Sequence, residues 1–318
     1  MMKNSNLLEA LKKNAPVALF AYNRPKSFFR TVQALVENEL AERTEIYLFL
    51  DGPKNEEDQN RSLEIESYFD NIKGFLTKTK YVRTSNYGLK RNIIAGVNQM
   101  MDLYDRAIFL EDDLVTSKYF LRFMNSSLEL YENTEDVCQV SGYSYLERYF
   151  KAFETRATYF LRGGDCLAWG TWRRAWAHYN DDSKALLLEI NRRNLKKSFD
   201  RGGAYGFTKM LNANITNGRS WAINWYASTF LLNKYCLYPA RSLALHVTSE
   251  EGATNYIPRD LDPLLVRLSC EPVPLQRIEV KEEQFIAEYY RDFLLQYKKS
   301  ILAKVLRKIV SALRSLSA

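Results

Sequence analysis

The chain has 318 residues, of which 46% are hydrophobic, 14% aromatic and 26% charged, a balance that excludes a disordered or fibrous protein and allows one large domain or two small ones. A formal charge of +7 and a pI near 9.0 suit anionic partners such as nucleotide phosphates or acidic lipid headgroups. The four cysteines form no C-x-x-C pair and there are only two histidines, which argues against a zinc cluster or disulfide framework, leaves carboxylates as the expected ligands of any hard cation, and fits a reduced, cytosolic setting.

In chain order, the run from Pro16 to Tyr22 is too short to span a membrane and lacks a small-residue cleavage site, so it reads as a buried strand, not a signal peptide. That strand, Val17 to Ala21, is closed by Asn23-Arg24-Pro25. Phe28, Phe29, Val32, Leu35 and Val36 then mark one face of a helix. A second strand, Ile46 to Leu50, stops at Asp51-Gly52-Pro53. A charged helix around Glu57 to Phe69 and a short strand near Lys80 to Arg83 follow. Leu89, Ile93, Val97, Met100 and Tyr104 predict another helix, leading to the strand Ala107 to Leu110. Continuous apolar strands separated by helices imply a mostly parallel sheet covered on both faces, with ligands beyond the carboxyl ends of its strands. The residues at those ends are Tyr22-Asn23-Arg24, Asp51, Asn86 to Arg91, and Glu111-Asp112-Asp113, so they are expected to share one edge.

From about Gly142 to Tyr256 the sequence is rich in Trp, Tyr, Gly and Arg and reads as loops and short strands that extend the sheet and build a pocket. After Pro263 the chain is expected to turn helical, with Phe285, Tyr289, Phe293, Tyr297, Ile301, Val305, Ile309 and Leu313 at four-residue spacing. No acidic residue follows Asp292, whereas Lys298, Lys299, Lys304, Arg307, Lys308 and Arg314 are basic. Such a basic amphipathic helix over 298–316 suits an anionic membrane surface; packing on the domain or on a second copy is the alternative.

Three carboxylates directly after a buried strand repel one another unless a cation or hydrogen-bond donors offset them. Mn²⁺ or Mg²⁺ bridging a diphosphate is the natural compensating charge, and an exposed acidic turn that caps the next helix is the plainer reading. The first strand is followed by Tyr22-Asn23-Arg24-Pro25, with neither the glycine-rich fingerprint of a dinucleotide site nor a P-loop, and without the glycine-rich loop expected of a nucleotidyltransferase. Nucleotide binding would therefore rely on side chains, the metal and the segment Asn86 to Asn92. There Gly88 permits close approach, the helix start favours anions, and Lys90 and Arg91 add charge.

The ordered series Tyr22-Asn23-Arg24-Pro25, Asp51-Gly52-Pro53-Lys54, Asn86-Tyr87-Gly88-Leu89-Lys90-Arg91-Asn92 and Phe109-Leu110-Glu111-Asp112-Asp113 resembles GT-A fold glycosyltransferases, most of all bacterial sugar transferases related to the N-acetylglucosaminyltransferase I family. Cys166 to Trp176 and Ser220 to Tyr226 fit the acceptor half of such proteins, and the resemblance runs from about Pro16 to Asn255. It implies an α/β GT-A domain over 1–262, with a donor half at about 16–115 and an acceptor half at about 116–262. A C-terminal helical extension over 263–318 would follow.

It also implies roles. Ala21, Tyr22, Asn23, Arg24, Asp51, Gly88, Lys90, Arg91, Glu111 and Asp112 would bind the donor, a nucleoside-diphosphate sugar with UDP favoured. Asp51 would meet the base, Arg91 the diphosphate and Asp112 the ribose, while Asp113 would ligate the metal. Trp169, Trp221 and Trp225 would shape the acceptor site, although large core aromatics are the ordinary alternative. Two positions depart from the family pattern. Asn224 stands where the eukaryotic relatives place a carboxylate base, which leaves Asp165, Glu250 and Glu251 as candidates. Asn255 stands where many bacterial relatives have His; His246 is nearby, and a lone His reads as structural.

The expected activity is sugar transfer, with inversion, to a glycan or lipid-linked acceptor in surface polysaccharide synthesis, by a cytoplasmic protein peripheral on the inner face of the membrane. No nucleic-acid partner is expected, and a homodimer is open. The alternative is a catalytically degenerate protein of the same fold that binds sugar nucleotide or glycan.

Overall fold

The computed structural model describes residues 13–153, 156–247 and 266–299. An eight-stranded sheet forms the centre, in the order β3-β2-β1-β4-β8-β6-β9-β7. Its donor half is parallel: β1 (Val17–Ala21) lies between β2 (Glu45–Leu50) and β4 (Arg106–Glu111), and β2 pairs with β3 (Thr77–Val82). The sheet continues through β8 (Trp169–Trp172), antiparallel to both β4 and β6 (Val137–Ser141). β9 (Tyr235–Pro239) runs parallel to β6, and β7 (Thr158–Arg162) closes the far edge antiparallel to β9. This is the mixed, mostly parallel α/β sheet expected, flanked by helices.

Local signals account for the donor half. Every residue of β1 is buried, as a strand covered on both faces requires. Helix α1 (Pro25–Val36) opens with proline at its first position and buries Phe28, Val32 and Leu35. Helix α2 (Glu56–Asn71) is capped by Asn55, whose side chain accepts from the Asp58 amide at 2.9 Å, and carries Glu56, Glu57 and Asp58 in its first turn. Helix α3 (Leu89–Leu103) starts at Gly88, whose φ of +74° is open to glycine at no steric cost. Helix α4 (Phe120–Leu130) follows β5 (Leu114–Thr116), which pairs antiparallel with the distant β10 (Ala244–His246) in a separate two-stranded sheet.

The second half corrects the expectation of loops and short strands. It holds helices α5 (Ser183–Arg192), α6 (Phe207–Asn217) and α7 (Ala222–Leu231). Asp182 caps α5 by accepting from the Lys184 and Ala185 amides, each at 3.0 Å. Helix α7 is buried from Ile223 to Leu231 and so shows no polar stripe from which a period could be read. The expected C-terminal helix is present, but it starts later than Pro263. Residues 266–283 carry no helix, and Val266, Val273, Leu275, Ile278 and Val280 pack on the main core instead. The helix there, α8, spans 284–299 among the described residues. None of the described helices is long and apolar enough to cross a membrane. All but two residues of the basic stretch 298–316 lie outside the described residues, as do Glu250, Glu251 and Asn255.

Candidate active site

The strand order reverses direction between β1 and β4, and the crevice beyond their carboxyl ends is where such sheets bind ligands. Arg24, the residue that precedes α1, stands in that crevice. Its guanidinium bonds Asp112 and reaches Asp113 Oδ2 at 3.0 Å. Thr31 of α1 fixes the turn by donating to the Asp112 carbonyl at 3.0 Å. The β5–β10 pairing places His246 opposite Leu114, and its Nε2 comes to 3.5 Å from Asp113 Oδ2.

Electrostatics here follow from crowding. Burial and the neighbouring Asp113 and Asp112 charges push the Glu111 carboxyl up to about 8. Burial likewise raises Asp112 to about 7, against the pull of Arg24. Burial also works against ionisation of Asp113, but His246 and Arg24 outweigh it and hold that carboxyl below its usual value. Asp112 is 2% exposed, and among the described residues no donor satisfies its Oδ2. The site is short of positive charge.

A divalent cation fits that shortage. Asp113 and His246 offer a carboxylate oxygen and an imidazole nitrogen at one place, a donor set that Mn²⁺ accepts. Among the described residues no three His, Cys, Asp or Glu side chains gather to hold a metal by themselves. Diphosphate oxygens and water would have to complete the coordination, the usual arrangement for Mg²⁺ or Mn²⁺ at phosphates.

The other side of the crevice is built around two carboxylates, Asp58 and Asp51. Asp58 accepts from Tyr22 Oη at 2.5 Å and Asn23 Nδ2 at 2.6 Å, which fixes the loop after β1. Asp51, at the end of β2, accepts from the backbone of Gly52 (2.9 Å), Tyr87 (2.7 Å) and Gly88 (2.8 Å) and from Asn86 Nδ2 (3.2 Å). Its oxygens therefore hold the 84–88 loop in place. The Ala21 carbonyl accepts from the Asp51 amide at 2.9 Å, tying β1 into the same edge. A Cβ at Gly52 would lie 2.3 Å from the Ser85 carbonyl carbon, so glycine is what lets these two loops touch. Arg91 stacks on Tyr87, 3.9 Å from the ring centre, and Lys90 reaches Asp181 Oδ1 at 2.7 Å.

The expected acceptor residues fall in different places. Trp169, Trp221 and Trp225 are 2%, 3% and 0% exposed and pack with Trp176 in the core, with the Trp169 and Trp221 rings stacked at 5.2 Å. Large apolar faces gain more from that burial than from solvent, and these three do not line the neighbouring cavity. Asn224 is buried between helices: its amide donates to the Asp181 carbonyl at 2.9 Å and its Oδ1 accepts from Ser183 at 2.8 Å. It joins α5 to α7.

Asp165 does face open space. It lines a cavity of about 260 Å³ that also touches His246, Arg201 and several tyrosines. Its Oδ1 accepts from Tyr145 Oη at 2.7 Å, and its amide donates to Gln139 Oε1 at 3.0 Å. Burial pushes its carboxyl up to about 6, against hydrogen bonds from Tyr145, the Cys166 backbone, Ser141 and Tyr238 that hold it down. Asp58, His246, Asp181 and Arg201 are absent from the sequence-derived set. Of these only His246 is singled out by the sequence, as a lone His near Asn255, and there it reads as structural.

No family model and no curated protein matches this chain. Among solved structures it is similar to the mannosyltransferase PcManGT from Pyrobaculum calidifontis in complex with GDP-Man and Mn²⁺, at 11% identity and a TM-score of 0.39, over 70% of this chain and 75% of that one. It is also similar to S. aureus TarS in complex with UDP-GlcNAc, at 14% identity and 0.31, over 40% of this chain and only 33% of that one. These neighbours are glycosyltransferases. A UDP-glucose pyrophosphorylase complexed with UDP-glucose is similar too, at 9% identity and 0.34, over 71% of this chain and 90% of that one. The narrower resemblance to the N-acetylglucosaminyltransferase I family is not confirmed by these neighbours.

Proposed function

We propose that this protein is a metal-dependent glycosyltransferase that moves a sugar from a nucleoside-diphosphate donor, UDP-linked in our reading, to a glycan or lipid-linked acceptor with inversion. The observation that carries it is the grouping of Arg24, Asp112, Asp113 and His246 at the switch point of the sheet, beside a cavity that contains Asp165. A nucleotidyltransferase, which shares the general fold, is disfavoured by Tyr22-Asn23-Arg24-Pro25 where a glycine-rich loop would be needed.

Asp113 and His246 would hold the cation, which would supply positive charge to the leaving diphosphate. Arg24 keeps the two carboxylates ordered and in the charge state that receives it. The Asp51-held loop and the Asp58-held Tyr22 and Asn23 form the nucleotide side, with Lys90 and Arg91 at its basic rim. In the transfer step an acceptor oxygen bonds to the anomeric carbon while the bond to the diphosphate breaks. The bonding pair leaves with the diphosphate, and the acceptor proton passes to Asp165. A carboxyl near 6 is matched to that task at neutral pH, being mostly ionised before the step.

The basic amphipathic pattern of 298–316 supports docking on an anionic membrane, where a lipid-linked acceptor would lie. The activity is tested by nucleoside diphosphate release from UDP-GlcNAc, UDP-glucose and GDP-mannose with Mn²⁺. Asp165→Asn should retain donor binding and lose at least about 100-fold in release. Full release by that variant would remove Asp165 from the mechanism.

A further inference from the structure

Helix α8 was expected to belong to a separate tail, yet it forms a wall of the cavity. Tyr290, Phe293, Leu294 and Tyr297 all line it, facing Asp165. At about 260 Å³ the space lies just below the roughly 300–1,000 Å³ of ordinary ligand pockets, so it suits one ring and not a nucleotide. The helix is anchored at several points. Tyr149 bonds Asp292 and stacks on Tyr289 at 4.6 Å, Arg148 bonds Gln296, and just before the helix Glu282 pairs with the buried Arg201 at 2.5 Å.

One residue connects this wall to Asp165. The Tyr145 hydroxyl donates to Asp165 Oδ1 at 2.7 Å. Its ring is gripped by Phe293 at 5.2 Å and Tyr290 at 5.5 Å from α8, and by Tyr143 at 4.9 Å and Tyr238 at 5.9 Å from the sheet side. A ring held on so many sides fixes where its hydroxyl oxygen sits, at hydrogen-bond distance from Asp165. We propose that Tyr145 is a positioning residue for Asp165, and that docking of α8 through Phe293 and Tyr290 sets Tyr145, so that the C-terminal helix is a working part of the active site. This rests on the reading of Asp165 as the proton acceptor.

The test uses the full chain with ¹³C-labelled aspartate, Asp165 being assigned with Asp165→Asn, together with nucleoside diphosphate release from the same three donors. Tyr145→Phe keeps the ring and removes only the hydroxyl. It should raise the pH at which Asp165 titrates, because a carboxylate loses a donor, and lower kcat about tenfold with donor KM unchanged. Phe293→Ala, which removes a ring that holds Tyr145 in place, should move both readouts in the same direction. If Asp165 titrates identically in wild type and Tyr145→Phe, or if Tyr145→Phe turns over at the wild-type rate, the inference is overturned. Should the wild type release no diphosphate from any donor, the proposed function fails, and the Asp165 titration alone still decides whether Tyr145 and α8 set that carboxyl.

Discussion

At the scale of single residues, Arg24 shows how charge balance shapes the crevice. It lies between two carboxylates, one of them 2% exposed, in a place where removing the cation partner leaves buried negative charge unpaired. Arg24→Ala should therefore destabilise the fold by roughly 3 kcal/mol in urea unfolding, a buried-pair value set at the low end because Arg24 is partly exposed. Mn²⁺ should restore part of that loss, since it replaces the missing charge; no rescue by Mn²⁺ would argue against a cation at this place. Asp165 makes a prediction with a definite sign. Its folded pKa, about 6, lies above that of an unfolded aspartate, so the neutral form is favoured by the fold. The stability this contributes is fully present below about pH 4 and is lost as pH rises through about 6. Asp165→Asn should flatten that part of the stability profile, and an unchanged profile would contradict the assignment.

Among the elements, the donor half was legible because each strand is a short apolar run stopped by turn residues, and the chemistry sits at those stops. Tyr22, Asp51 and Glu111 follow or end β1, β2 and β4 for that reason. The acceptor half hid itself. Helix α7 is buried all round, so it offers no apolar stripe against a polar one, and Trp169, Trp221 and Trp225 pack in the core. His246 and Arg201 reach the site by pairings across long stretches of chain, which no local pattern records. The contact between the Asp51 turn and the 84–88 loop carries its own prediction. Gly52→Ala drives a Cβ to 2.3 Å from the Ser85 backbone, which cannot give way as a flexible side chain would. The loop should shift, and donor affinity measured by calorimetry should fall about tenfold or more, the loss expected when a positioned backbone contact is broken. Wild-type affinity in that variant would mean that the loop does not touch the donor.

For the whole molecule, the sheet joins two chemistries across one reversal of strand order. Its parallel half holds the Asp51, Asp112 and Asp113 carboxylates and the loops they order, and its mixed half carries the cavity with Asp165 that α8 lines. From Lys298 onward the sequence pattern is basic and amphipathic, which predicts that truncation after Tyr297 abolishes binding to anionic liposomes while leaving donor binding intact. Liposome binding retained by the truncated protein would remove the membrane from the account. The central claim is a cation-assisted donor site, and isothermal titration of UDP-GlcNAc, UDP-glucose and GDP-mannose against the full chain tests it most directly. The account predicts that at least one of them binds with Mn²⁺, fails to bind with EDTA, and fails to bind to Asp113→Ala even with Mn²⁺. Binding that survives both EDTA and Asp113→Ala, or no binding by any of the three, would contradict it.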